Sequence, residues 1–199
     1  LRYILNNIKF IKHIPRIDRK YQFLEQKLVP RDYQRDAYSK LIKQKRSILS
    51  MPPGMGKTLV SIMWGNIRFE LIIIFSPLRL NAEQNLERFK SELDLYEEFI
   101  LVDSDGTRDI NLLKKAVKKF CVLSVTYKSV DVICELMKYI HKRINVGMII
   151  DEFHNLTYNN VCDVNDDFYK VLSKDHDYLF VSATPRLFDS DDDFYNPED

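Results

Sequence analysis

Two glycines, a lysine and a threonine stand close together in Met51-Pro52-Pro53-Gly54-Met55-Gly56-Lys57-Thr58. Much later in the chain, two carboxylates stand side by side in Asp151-Glu152-Phe153-His154. Gly54 and Gly56 let the backbone curl so that successive amide hydrogens converge, which is what a phosphate oxygen needs. Lys57 adds a full positive charge for the β- and γ-phosphates of a nucleotide, and the Thr58 hydroxyl can ligate magnesium. A helix opening at Lys57 adds its positive N-terminal end. The general pattern has an earlier glycine, and here Met51 takes that place. Pro52 and Pro53 stiffen the entry without offering an amide hydrogen. Asp151 and Glu152 suit the other half of the chemistry. One carboxylate can hold magnesium through water while its neighbour takes a proton from the attacking water. Together the two clusters predict binding and hydrolysis of a nucleoside triphosphate.

Such side chains need strand ends to hold them. Ser47-Ile48-Leu49-Ser50 precedes the loop, and Val146-Gly147-Met148-Ile149-Ile150 precedes the carboxylates. Both read as buried parallel strands. Further strands are predicted at 71–75, 99–102, 121–125 and 178–181. Helices are predicted at 31–44, 57–69, 81–93, 109–119 and 128–142, with a short one at 168–173. Ile4, Ile8 and Ile11 have a loosely helical spacing that Pro15 interrupts. Short apolar strands alternating with helices imply right-handed crossovers and an α/β fold: a mostly parallel sheet with helices on both faces. Ligands bind such sheets at the carboxyl ends of the strands, and both clusters fall on that edge.

The chain has 199 residues, a hydrophobic share of 45% and a charged share of 30%, which suits one globular domain. No apolar run is long enough for a membrane span, so no membrane partner is expected. Cys121, Cys134 and Cys162 lie far apart and read as idle thiols in a reducing, intracellular compartment. The net charge of +1 hides an asymmetry. Residues 1–50 carry 13 basic against 4 acidic side chains, and the remainder carries 17 against 25. A basic opening segment suits a polyanion such as nucleic acid, and equally a solvated surface. The stretch 189–199 holds six acids and no base. These shifts divide the chain into a basic segment (1–29), a nucleotide-binding lobe (30–187) and an acidic linker or tail (188–199). His13, His141 and His176 form no constellation, and Asp105-Gly106-Thr107 reads as a plain turn.

Asp151-Glu152-Phe153-His154 resembles the DExH box of superfamily 2 helicases and translocases, and Ser182-Ala183-Thr184-Pro185 resembles their Ser-Ala-Thr motif. Other pieces follow in the family's order. Arg31-Asp32-Tyr33-Gln34 resembles the adenine-reading motif, and the stretch from Ser76 to Gln84 resembles a motif that touches the nucleic-acid backbone. Ser124-Val125-Thr126-Tyr127 resembles a later motif on the same face. The resemblance implies a RecA-like P-loop NTPase domain, the first of two motor lobes, using ATP and Mg2+. It implies that Arg31, Gln34, Pro53, Gly54, Met55, Gly56, Lys57 and Thr58 bind ATP. It implies too that Thr58 and Asp151 hold the metal and that Lys57, Asp151 and Glu152 are catalytic. It further implies that His154, Ser182 and Thr184 couple nucleotide state to nucleic acid, which Arg79, Thr126 and Tyr127 touch. DNA is the expected strand rather than RNA, and a second RecA-like lobe is the expected partner, without which turnover is nearly absent. The competing expectations are an AAA-type protein-remodelling ATPase, which shares the Pro-Pro-Gly-x-Gly-Lys-Thr loop, and a non-catalytic helicase-like binding module.

Overall fold

The computed structural model describes residues 29–66 and 68–183. The isoleucine-spaced basic opening, Thr184, Pro185 and the acidic stretch 188–199 lie outside the described residues. The strands are β1 (Arg46–Ser50), β2 (Leu71–Ser76), β3 (Glu98–Val102), β4 (Cys121–Thr126), β5 (Val146–Asp151) and β6 (Asp177–Ser182). They form one sheet in the order β1-β6-β5-β2-β4-β3, and every neighbouring pair is parallel. The helices are α1 (Asp32–Leu41), α2 (Lys57–Gly65), α3 (Arg79–Glu92), α4 (Ile110–Ala116), α5 (Val130–Leu136), α6 (Tyr158–Cys162) and α7 (Asp167–Leu172).

Strand side chains alternate between two cores. Leu71, Ile73 and Phe75 of β2 join Leu123 and Val125 of β4 under α4, α5 and α7. Ile72 and Ile74 join Val122, Ile149 and Leu179 on the opposite face, under α1, α2 and α3. Burial on both faces explains why 71–75 is one apolar run rather than an alternating one. Among the described residues, no helix is long and apolar enough to cross a membrane.

The sheet's carboxyl edge is one row. Ser50 pairs with Ser182, Asp151 with Val181, Phe75 with Ile150, and Ser76 with Thr126. Ser50, Ser182, Asp151 and Ser76 therefore end on four adjacent strands. Gly147 fits this middle layer for a steric reason: a Cβ there would lie 2.4 Å from the Phe69 ring.

Three helices differ most from expectation. The predicted 57–69 helix stops at Gly65 because Asn66 turns extended (φ −60°, ψ 132°). Gly65 also lets the helix end close on β2, since a Cβ would meet Ile72 Cδ1 at 2.8 Å. The predicted 128–142 helix opens with a 3-10 turn over Tyr127–Ser129 and ends at Leu136. Helix α6 was not expected; it is five residues long, and the Thr157 hydroxyl caps it at the Asn160 amide.

Candidate functional site

The loop between β1 and α2 is tied down at both ends. The Met51 amide donates to the Ser182 carbonyl (3.3 Å), and the Met55 amide closes a turn on Pro52 (3.3 Å). Gly54 and Gly56 both take left-handed backbone angles, φ 77° and 82°, which cost a glycine little. Gly56 is required twice over. A Cβ on it would sit 2.3 Å from Gln34 Nε2. That amide instead donates to the Met55 carbonyl (3.0 Å), while Gln34 Oε1 accepts from the Arg31 amide (2.8 Å). The Tyr33 hydroxyl donates to the same Met55 carbonyl at 3.1 Å. Helix α1 thus clasps the loop from outside. The Arg31 side chain contacts the Tyr33 hydroxyl (3.3 Å) and is not among the residues that line the pocket described next.

Lys57 Nζ lies 3.3 Å from the Met51 carbonyl, folded back across the loop. With Thr58, Ser61, Asp151 and Glu152 it lines a pocket of about 200 Å³. Its other wall is α3, through Asn81, Gln84, Asn85 and Phe89. The structure therefore brings Lys57, Thr58, Asp151 and Glu152 together at one opening. Pro53, Gly54, Met55, Gly56 and Gln34 are not among the residues that line it.

Asp151 ends β5 in a half-buried position. Burial raises its carboxyl above the usual range, and Glu152 adds to that, while the Asn85 amide and Lys57 oppose it. Asn85 Nδ2 donates to Asp151 Oδ2 at 2.9 Å. Glu152 is the one non-glycine among the described residues with a positive φ (49°). This turn throws its side chain inward, where Oε2 is buried and makes no hydrogen bond. His154 Nδ1 lies 3.3 Å from that oxygen but closer, 2.8 Å, to Ser182 Oγ. The shorter contact is the hydrogen bond. His154 so stands between the carboxylate turn and the fully buried Ser182 at the end of β6.

Three residues expected to face nucleic acid are otherwise engaged. Thr126 is buried, and its hydroxyl donates to Ser129 Oγ (3.2 Å), which also accepts from Arg108 (3.0 Å). The Tyr127 hydroxyl donates to the Asp151 carbonyl at 2.7 Å, and its ring meets Phe168 edge-on at 5.0 Å. Thr126 ends β4 and Tyr127 opens the 3-10 turn that follows it, and both hydroxyls are bonded within the lobe. Tyr127 supports Asp151 from below. Arg79 is half-exposed, but its guanidinium faces three acids: Glu83 (2.7 Å), the buried Asp103 (3.2 Å) and Asp105. Asp103 Oδ1 meanwhile accepts the amides of Asp105 and Gly106, making the expected turn.

Sequence reasoning missed Asn85 and left Tyr33 without a role of its own. The signal for Asn85 was present: Asn81, Asn85 and Phe89 fall four apart on α3, so the two amides continue an apolar stripe. The donor set is one of hard oxygens. Among the described residues, no three His, Cys, Asp or Glu side chains cluster as a metal site. Asp151 with the Thr58 hydroxyl fits magnesium, which takes few protein ligands and completes its shell from phosphates and water.

A search of curated proteins finds no match. Among solved structures, the fold resembles a nuclease-deletion mutant of the Type ISP restriction-modification enzyme LlaGI in complex with a DNA substrate mimic. The TM-score is 0.62 at 21% identity, over 83% of this chain and 19% of that one. It also resembles the Hef helicase domain of Pyrococcus furiosus, with TM-score 0.60 and 22% identity, over 78% of this chain and 33% of that one. The chain thus spans about a fifth and a third of these two proteins, and the likeness is one of RecA-like fold. Comparison with protein families matches residues 31–191 to the DEAD/DEAH box helicase. That match runs from α1, which clasps the loop, past the last strand, and so the chain belongs to the DEAD/DEAH box helicase family.

Proposed function

We propose that this chain is the first motor lobe of a helicase or translocase that hydrolyses ATP to move along or separate nucleic acid. The observation that carries this reading is the meeting of Lys57, Thr58, Asp151 and Glu152 at one pocket on the sheet's carboxyl edge. The loop amides and Lys57 would bind the phosphates, with Gln34 and Arg31 toward the base. Thr58 and Asp151 would hold magnesium, which when bound supplies positive charge beside the phosphates. Glu152 would be the general base: its buried Oε2 makes no hydrogen bond, though His154 Nδ1 stands 3.3 Å away, and can take a proton from water. His154 and Ser182, with Thr184, would carry the state of this pocket toward the nucleic-acid face. The family favours a helicase over a protein-remodelling ATPase. DNA is proposed over RNA because the LlaGI structure holds a DNA substrate mimic. A second RecA-like lobe is proposed to supply an arginine finger, worth roughly 10³–10⁵ in turnover in P-loop NTPases. On the nucleic-acid side, a phosphate reaching Arg79 must first displace Glu83 or Asp105.

The test is a titration of the chain with a fluorescent ATP analogue and magnesium, beside Lys57→Ala. Wild type is expected to bind and the variant to lose binding at least tenfold while keeping its melting temperature. Equal binding by the two proteins would overturn the site, and a folded wild type without binding would favour the non-catalytic module.

A further inference from the structure

The Asp151 carboxylate does not stand alone at its strand end. Asn85 Nδ2 donates both to Asp151 Oδ2 (2.9 Å) and to Ser76 Oγ (3.1 Å). Ser76 is the last residue of β2 and fully buried; Asp151 is the last of β5, the next strand in the sheet. One carboxamide from α3 therefore pins two adjacent strand ends. A carboxylate turns readily about its last torsion, which is broad and roughly twofold. Two side-chain hydrogens fixed on separate strands leave Asn85 no such freedom.

We propose that Asn85 is a positioning residue: by holding Oδ2 it fixes the plane of Asp151 and leaves Oδ1 facing the pocket. This rests on the reading of Asp151 as the magnesium-holding carboxylate. Three features single out Asn85 from the other amides on the wall. Asn81 and Gln84 line the same pocket but make no hydrogen bond to Asp151. Asn85 is half-buried, one turn from the fully buried Phe89, where an apolar residue would serve packing better. Its one amide nitrogen also reaches both Asp151 and the neighbouring strand end at Ser76. Partners that orient a ligand in this way typically change metal affinity by roughly 10–100-fold when removed.

The experiment measures binding of a fluorescent ATP analogue by the full 199-residue chain, once in EDTA and once across a magnesium chloride titration. Asn85→Leu keeps the side chain's size and supplies apolar packing, and Asn85→Asp keeps its shape but sets a second carboxylate beside Asp151. The expected result for Asn85→Leu is binding in EDTA within about twofold of wild type, with a magnesium midpoint raised roughly 10–100-fold. Asn85→Asp is expected to move the midpoint as well, in either direction, with EDTA binding again little changed. A folded variant of either kind with the wild-type midpoint overturns the proposal. Equal loss in EDTA and in magnesium also overturns it, because that marks damage to the pocket as a whole. Failure of the underlying reading looks different: wild type itself would then show no magnesium dependence, whatever stands at position 85.

Discussion

Asp151 holds its charge where the fold would prefer none. Burial is the largest influence on it and raises its carboxyl above the ordinary range, and the bond from Asn85 opposes this only in part. A carboxyl raised by folding stabilises the fold fully below its unfolded pKa. That contribution is lost as pH rises through the folded pKa. At neutral pH, without magnesium, the ionised Asp151 therefore costs stability. Asp151→Asn, whose side-chain oxygen can still accept from Asn85, is expected to melt at a higher temperature than wild type. The difference should fade below the ordinary carboxylate range. Melting curves at neutral and acidic pH check this, and a variant no more stable at neutral pH would sink it. At this scale the sequence was most readable where chemistry dictates residue type. Lys57, Thr58, Asp151 and Glu152 declare themselves by what they can bind. Asn85 does not, because an asparagine in a helix has many uses, and only the adjacency of β2 and β5 shows which one applies. The bond from the Tyr127 hydroxyl to the Asp151 carbonyl was equally hidden, because it depends on the turn that follows β4.

Elements end where backbone and neighbours force them to, and that governs which boundaries could be read. Strands β2 and β5 announced themselves through uninterrupted apolar runs, and their observed bounds extend the expected ones by a single residue, to Ser76 and Asp151. Helix α2 stopped four residues early, where Asn66 turns extended and Gly65 packs on Ile72, a contact made across the fold and invisible in local spacing. Helix α6 is too short for periodicity to register. The same close packing yields a prediction at Gly147. Its missing Cβ is the space filled by Phe69, whose ring also meets Trp64 at a tilt, with centroids 4.8 Å apart. Gly147→Val is expected to cost about 1–3 kcal/mol by overpacking. Urea unfolding measures this, and an unchanged midpoint would show that the Phe69 ring swings aside freely.

Across the whole molecule, the strand order decides what meets what. The chain lays down β1, moves three places along the sheet to β2, and later fills the gap with β5 and β6. The carboxylates of β5 thereby come beside the loop of β1 although they are distant in sequence. That the sheet would be parallel was legible from the alternation of strand and helix, since such crossovers have one hand. The order itself was not, because no local pattern encodes which neighbour a strand selects. The central strands are buried on both faces, so backbone amides in β2 and β4 should exchange with deuterium only on global unfolding. Those of α6 should exchange far sooner, and similar rates in both places would argue against a single cooperative core. Gln34 spends its amide donor on Met55 and its oxygen on Arg31. Any base read by this side chain must outbid the protein's own backbone, edge for edge.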